Sequence, residues 1–388
     1  MSFFNRAVGT MVGISCFFAA VSAQGSAAPD IYGYFQSQLI YQKMGTTTNS
    51  SFDISELDLF LHKNLSSSIS TLVDLQLLNN FSTSNDWGDF NLDEAWVKFD
   101  LSRYCIIKTG YIVPTFNSFN EIKTKFPLFP YVLRPIIYES SMNNMINPEP
   151  YLPSHVMVQV NGTAPIDAAK LDYAIFAGNS DFTQSVSATD STNYKLVGGR
   201  IGVRDAGVKA GVSGTYDYTR NDDINSTIAT INTMTKGSLS TIGSIPRARF
   251  GADLSFSHFG FSFESEYIHV WEFPDSAAKG ELSAAATASA TLPNSMLMIH
   301  DGLAKNFAYA SLTYTFFEKL DVTALITYLQ NQTAGLLSEG VKELHGCVGY
   351  HISDDVTLKF EYRKIYLGST TSAGGGNDLL GTAVSVAF

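Results

Sequence analysis

Sixteen stretches of this chain alternate apolar with polar residues, and the segments that join them are by turns short and long. The stretches cover 30–43, 52–63, 67–80, 90–100, 104–113, 154–163, 168–178, 193–204, 207–219, 246–258, 260–273, 303–317, 320–330, 342–352, 355–367 and 377–388. In the fifteenth, Val356, Leu358, Phe360 and Tyr362 alternate with Thr357, Lys359, Glu361 and Arg363. In the tenth, Ala248, Phe250, Ala252, Leu254 and Phe256 alternate with Arg247, Arg249, Gly251, Asp253 and Ser255. A period of two means a strand with one apolar face and one polar face. Two stretches, 30–43 and 303–317, are blurred, with apolar residues on both faces.

The connections constrain the fold more tightly than any one strand. Short ones fall at Asn64–Ser66, Leu101–Arg103, Ala164–Asp167, Asp205–Ala206, Phe259, Glu318–Lys319 and Ser353–Asp354. Long ones fall at 44–51, 81–89, 114–153, 179–192, 220–245, 274–302, 331–341 and 368–376. Strict alternation puts every tight turn at one end of the sheet and every long loop at the other. A soluble sandwich has no reason to sort its loops this way. A transmembrane barrel does, with tight periplasmic turns and long extracellular loops. The expectation is an all-β chain forming a transmembrane antiparallel β-barrel of about sixteen strands, with both ends on the periplasmic side.

The ends agree. Arg6 is the sole charge before Asp30, and an apolar run from Ala7 closes on Val21-Ser22-Ala23, small residues of the kind signal peptidase reads. Residues 1–23 therefore read as a secretory signal peptide, leaving one domain, 24–388. At the other end, Leu380, Val384, Val386 and Phe388 alternate with Gly381, Ser385 and Ala387, so the chain stops on the aromatic of a strand.

Composition removes other classes. A net charge of −11 argues against nucleic acid as a partner. No apolar stretch after the signal approaches the length of a spanning helix. Cys105 and Cys347 lie far apart in strand-like sequence, which offers no disulfide framework. None of the seven histidines sits in a nucleophile or metal motif, and there is no Gly-rich phosphate loop. Neither enzymatic activity nor a cofactor or metal is expected. The length is too small for a plug domain with 22 strands.

The third long loop, 114–153, stands apart. It holds Pro114, Pro127, Pro130, Pro135, Pro148 and Pro150, and with them Phe116, Phe119, Phe126, Phe129, Tyr131 and Tyr138. Prolines stiffen it and aromatics favour burial. Folded into the barrel, it would present Glu121, Lys123, Lys125, Arg134 and Glu139 at a constriction. An extracellular lid or a latch between subunits is the other use for such a loop. Parity assigns the remaining charges. With the apolar parity towards lipid, Lys98, Lys108, Arg200, Arg204, Lys209, Arg247, Arg249, Lys359 and Arg363 turn inward, with Glu94, Asp100, Asp217, Asp253, Glu264, Glu266 and Glu361. There they avoid the ~2–4 kcal/mol that Arg or Lys costs on the lipid face at midplane. They either face solute or pair with neighbours and brace the wall.

Signal peptide, sixteen strands, a long third loop and terminal Phe388 together resemble Gram-negative outer-membrane porins. Ala95–Tyr111 resembles the strand-turn-strand before the third loop in the phosphate-selective porin O and P group: Lys108-Thr-Gly110-Tyr111 ends the strand and Pro114-Thr-Phe116 opens the loop. The hairpin from Gly349-Tyr350-His351 to Leu358–Tyr362 has the same character. The resemblance implies an infolded third loop and a water-filled channel for small hydrophilic solutes or ions, with anions such as phosphate among them. It also implies a homotrimer in contact with outer-membrane lipid and lipopolysaccharide, and a terminal aromatic read during assembly. The arginine and lysine file of that group does not map onto this chain residue by residue. A non-conducting barrel serving as adhesin or receptor through its loops is the alternative.

Overall fold

The computed structural model describes residues 28–44, 47–78, 89–138, 155–180, 194–219, 222–289, 304–331, 340–367 and 377–388. The signal peptide lies outside the described residues, as does 139–154, the second part of the third loop.

Sixteen antiparallel strands close into one barrel, each paired with its neighbours in sequence, and β1 with β16. They are β1 (Asp30–Met44), β2 (Thr47–Asn64), β3 (Ile69–Leu78), β4 (Asp89–Ser102), β5 (Cys105–Ile112), β6 (His155–Ile166), β7 (Ala169–Asn179), β8 (Lys195–Asp205), β9 (Val208–Thr219), β10 (Ile245–His258), β11 (Phe261–Glu272), β12 (Ala304–Phe316), β13 (Leu320–Asn331), β14 (Val341–His351), β15 (Val356–Leu367) and β16 (Asn377–Ala387). Closure leaves no open strand edge. The seam is finished by Phe388, whose N–H donates to Gly33 O and whose carbonyl accepts from Gly33 N–H, both at 2.9 Å. A Cβ at Gly33 would sit 2.8 Å from the Phe388 ring, so this glycine clears space for the terminal aromatic.

The alternation read from sequence is visible in burial. Along β14, Val341, Glu343, His345 and Cys347 are buried while Lys342, Leu344, Val348 and Tyr350 are exposed. Large apolar residues are exposed around the barrel, among them Val156, Val158, Ile175, Ile201, Val212 and Phe360. Aromatics gather at its two rims. Tyr194 stacks on Tyr218, with Tyr216 edge-on to it, near the long loops, and Phe261, Tyr314 and Phe316 meet tilted or edge-on near the short turns. Two of those turns, Ala206-Gly207 and Phe259-Gly260, place both residues at positive φ, as tight hairpins of the right twist require.

Three sequence expectations change. The first long loop, 44–51, is mostly strand: β1 and β2 pair out to Met44↔Thr47. Thr47 and Thr48 are β-branched and extend the ladder beyond the apolar residues that period analysis detects. The Ala/Ser/Thr-rich stretch 282–291, read as part of the long connection 274–302, largely belongs to helix α2 (Ser276–Ser289). Alanine is the best helix former, and Asp275 caps the start by accepting from Ala278 N–H at 2.8 Å. Helix α1 (Asp222–Thr235) lies in the preceding long connection. Ile228 and Ile231 of α1 form one buried cluster with Leu282 and Ala285 of α2 and with Ile242 and Ile245. Finally, the blur in 303–317 has a packing cause: Phe307 and Tyr309 face inward and are buried.

Candidate functional site

Residues 113–138 follow β5 and touch the buried, inward parity of strands all around the sheet. The N-terminal part meets β6 and β9–β11. Thr115 N–H donates to Gln159 at 3.0 Å, Asn117 N–H to Ser213 at 3.0 Å, and Ser118 Oγ to Asp253 at 2.9 Å. Glu266 accepts from Phe119 N–H and Tyr138 Oη, each at 2.6 Å. Gly251 allows this approach, since a Cβ there would stand 2.3 Å from Asn117 Oδ1. Phe119 packs against Tyr138, Phe129 and Tyr309 with ring centroids 4.7, 5.1 and 5.6 Å apart. Burial raises the Tyr131 phenol well above its ordinary value, so it stays neutral.

The next part meets β15, β1 and β2. Glu361 Oε2 accepts from Val132 N–H at 2.7 Å and Leu133 N–H at 3.0 Å. Arg363 Nη2 donates to the carbonyls of Leu133 and Arg134, at 3.1 and 3.0 Å. Lys359 Nζ donates to Pro127 O at 2.8 Å. Gln36 Nε2 donates to Val132 O at 2.8 Å, and the Arg134 guanidinium pairs with the Glu56 carboxylate. Behind them, His345 stands 3.0 Å from Glu343 and 3.1 Å from Glu361.

The constriction candidates therefore separate. Glu121 is exposed and accepts from Thr115 Oγ1 at 2.8 Å. Lys125 is exposed. Arg134 is buried on Glu56 rather than offered to solute. Lys123 lies in a 3₁₀ stretch whose backbone alone is described, and Glu139 lies outside the described residues.

Of the wall charges, most have carboxylate partners. Lys98 pairs with Asp100 at 3.1 Å, Lys108 with Glu94 at 3.0 Å, and Arg204 with Asp172 at 2.9 Å. Arg247 and Arg249, at 1% and 4% exposure, share Asp217 at 2.6 and 3.0 Å. Arg200 lies along the wall over Gly202 and Gly211 and grips Asp253 through Nε at 3.0 Å and Nη2 at 2.6 Å. Lys359 and Arg363 are consumed by the 127–134 backbone. Sequence reasoning passed over Gln36, Glu56, Asp58, Glu343 and His345. Their signal was present: Glu56, Asp58 and Phe60 alternate with Leu57, Leu59 and Leu61.

One cavity of about 380 Å³ opens between β6–β11 and residues 115–122. Arg200, Arg204, Lys209, Asp253 and Glu264 line it, with Glu121 from the third loop.

No family model matches the chain, and no curated relative does. The fold is that of solved outer-membrane porins. The anion-selective porin from Comamonas acidovorans superposes with a TM-score of 0.61 at 8% identity, covering 93% of this chain and 99% of that one. OmpF of Salmonella typhi, solved with daunomycin, gives 0.60 at 10%, covering 93% and 97%. OmpT of Vibrio cholerae, an outer-membrane protein in a trimer form, gives 0.54 at 9%, covering 93% and 100%.

Proposed function

We propose that this protein is an outer-membrane porin, a channel through which small hydrophilic solutes or ions diffuse, with residues 113–138 as its constriction. The observation that carries the reading is the closed sheet with an apolar outer face and a charged inner one, whose inward residues on β1, β9–β11 and β15 hydrogen-bond residues 117–138. A segment of this length reaches β2, β10 and β15 of a closed barrel together only across the interior. The fold it shares with solved porins supports a Gram-negative outer-membrane location among lipid and lipopolysaccharide, with export by the signal peptide, and a homotrimer. The finer reading, a preference for anions such as phosphate, has Arg200, Arg204 and Lys209 beside the cavity in its favour and the carboxylates paired with the two arginines against it. The adhesin or receptor reading has the ordered α1–α2 pair at the long-loop end in its favour.

Single-channel recording in planar bilayers under a salt gradient tests both. Discrete current steps support the porin, and their reversal potential reads the ion preference. A folded, heat-modifiable protein that passes no current overturns the reading. Epitope tags within 220–245 and 274–302 are expected to label on intact cells, and labelling only after permeabilisation would reverse the topology. Deleting Phe388 is expected to lower the amount assembled in the outer membrane, because the Gly33 pairing at the seam is lost.

A further inference from the structure

We propose that the cavity beside β8–β11 binds small zwitterions, solutes of amino-acid size that carry an ammonium and a carboxylate. The inference rests on the channel reading above and names a solute class for it.

Cross-strand register builds one row of inward residues: Arg204 opposite Lys209, Lys209 opposite Ser255, and Ser255 opposite Glu264. All four line the cavity. Arg204 is held by Asp172 at 2.9 Å. Lys209 and Glu264 have no hydrogen bond or ion pair among the described residues. Lys209 is exposed and Glu264 half-buried, so both are open to the cavity.

The neighbouring row keeps clear of them. Arg200 is bound to Asp253, and the guanidinium occupies the space that side chains at Gly202 and Gly211 would fill; a Cβ at Gly211 would come within 2.4 Å of it. What remains open along this row is one cation and one anion at a single height, two strands apart, with the Ser255 hydroxyl between, while Glu121, held by Thr115 Oγ1, faces the cavity from the loop. Two strand spacings set the two backbones roughly 9.6 Å apart, and the flexible Lys209 stem lets its ammonium adjust from there. In an α-amino acid the ammonium and carboxylate lie about 3 Å apart across two bonds. Two charge-assisted hydrogen bonds add about 2.8 Å each, for a span of ~9 Å. A lone anion at Lys209 would lie beside Glu264 and Asp172, and a lone cation at Glu264 beside Lys209 and Arg204. A zwitterion satisfies both ends without a like-charge contact. Phe119, Ile122 and Tyr309 close the upper wall with apolar surface.

The test uses the full-length protein in planar bilayers with glycine as the probe, which adds no net charge to the medium. Glycine should lower the single-channel potassium current with saturation. Sodium acetate and methylammonium chloride at equal concentration should not. K209Q and E264Q, each first shown to be heat-modifiable, should raise the half-saturating glycine concentration about tenfold, as expected for one lost charge-assisted hydrogen bond. The exchanged pair K209E with E264K should restore the effect, because the zwitterion can bind reversed. Equal responses in wild type and E264Q, or an equal response to acetate or methylammonium alone, would overturn the site. If the barrel passes no current, the channel reading fails by itself. Titration calorimetry of glycine into the micellar protein then decides the site: a saturable heat absent from K209Q and E264Q upholds it, and no heat in the wild type overturns it.

Discussion

On the β13–β2 side of the lumen, wall charges hold backbone. Glu361, Arg363, Lys359 and Glu56 together grip residues 127–134, and little of their surface remains exposed. On the β6–β11 side, Glu266 and Asp253 also meet the loop, but the charges around them pair within the wall or stay open. Arg200 binds Asp253, Arg204 binds Asp172, and Lys209 and Glu264 face a cavity. A charge on the inward parity is thus a tether where the third loop lies on it, as at Glu361 and Glu266, and elsewhere a wall pair or an open group. The difference lies in whether the third loop covers it. Buried ion pairs contribute little net stability over apolar packing, yet breaking one by removing a single partner is costly.

The comparison breaks most clearly if the loop is removed. Deleting 116–136 is expected to raise single-channel conductance severalfold, since the segment packs on inward residues of β1, β6, β9–β11 and β15. Unchanged conductance would mean that it does not lie in the conducting path. Next in size is Glu361→Ala. It strips Val132 N–H, Leu133 N–H and Arg363 of their acceptor. Breaking a buried pair this way should cost about 3–5 kcal/mol. We expect a lower temperature for loss of the heat-modifiable form and a larger, noisier current.

The mirror change in the open half is Asp253→Asn. It frees Arg200 beside the cavity, so the expected effect is a reversal potential moved towards anions, with a smaller loss of stability than Glu361→Ala. Equal destabilisation by the two would erase the distinction between the halves. The shift should shrink in salt, because the Debye length falls from about 10 Å at 0.1 M to about 3 Å at 1 M. Gly211→Ala sharpens the same point more gently, displacing the Arg200 guanidinium without changing any charge. A modest change in conductance with a nearly constant reversal potential is expected from it. The smallest effect on selectivity is expected from Arg247→Gln with Arg249→Gln. Parity alone would make these two the prime solute contacts. Both are buried on Asp217, so the loss should appear in thermal stability and hardly in reversal potential. A shift as large as that of Asp253→Asn would show that they face the conducting path after all.

The barrel was legible because its signal is local. Strand alternation repeats every two residues, and β10 at Ile245–His258 or β15 at Val356–Leu367 lie within a residue of the stretches read from sequence. The misreadings share a cause. Polar Thr47–Ser51 pairs as strand, and Ala-rich 276–289 is helical, because neighbours complete the structure: Met44 across the ladder in one, Ile228 and Ile231 in the other. Phe307 and Tyr309 blurred β12 because both join the buried inner cluster, Tyr309 against Phe119 and Tyr138, rather than meeting water.

By itself the sequence determined the strands, their parity, the even count and the sorting of loops, since each follows from backbone geometry over a few residues. Which lumen charges are free was decided only in three dimensions. Glu361 and Val132 are 229 residues apart in the chain, and Arg134 and Glu56 are 78. Alternation says which way a side chain points. Whether it meets solvent, a carboxylate or the backbone of a distant loop depends on closure of the sheet and on the path of residues 113–138 against it, and no local period encodes either.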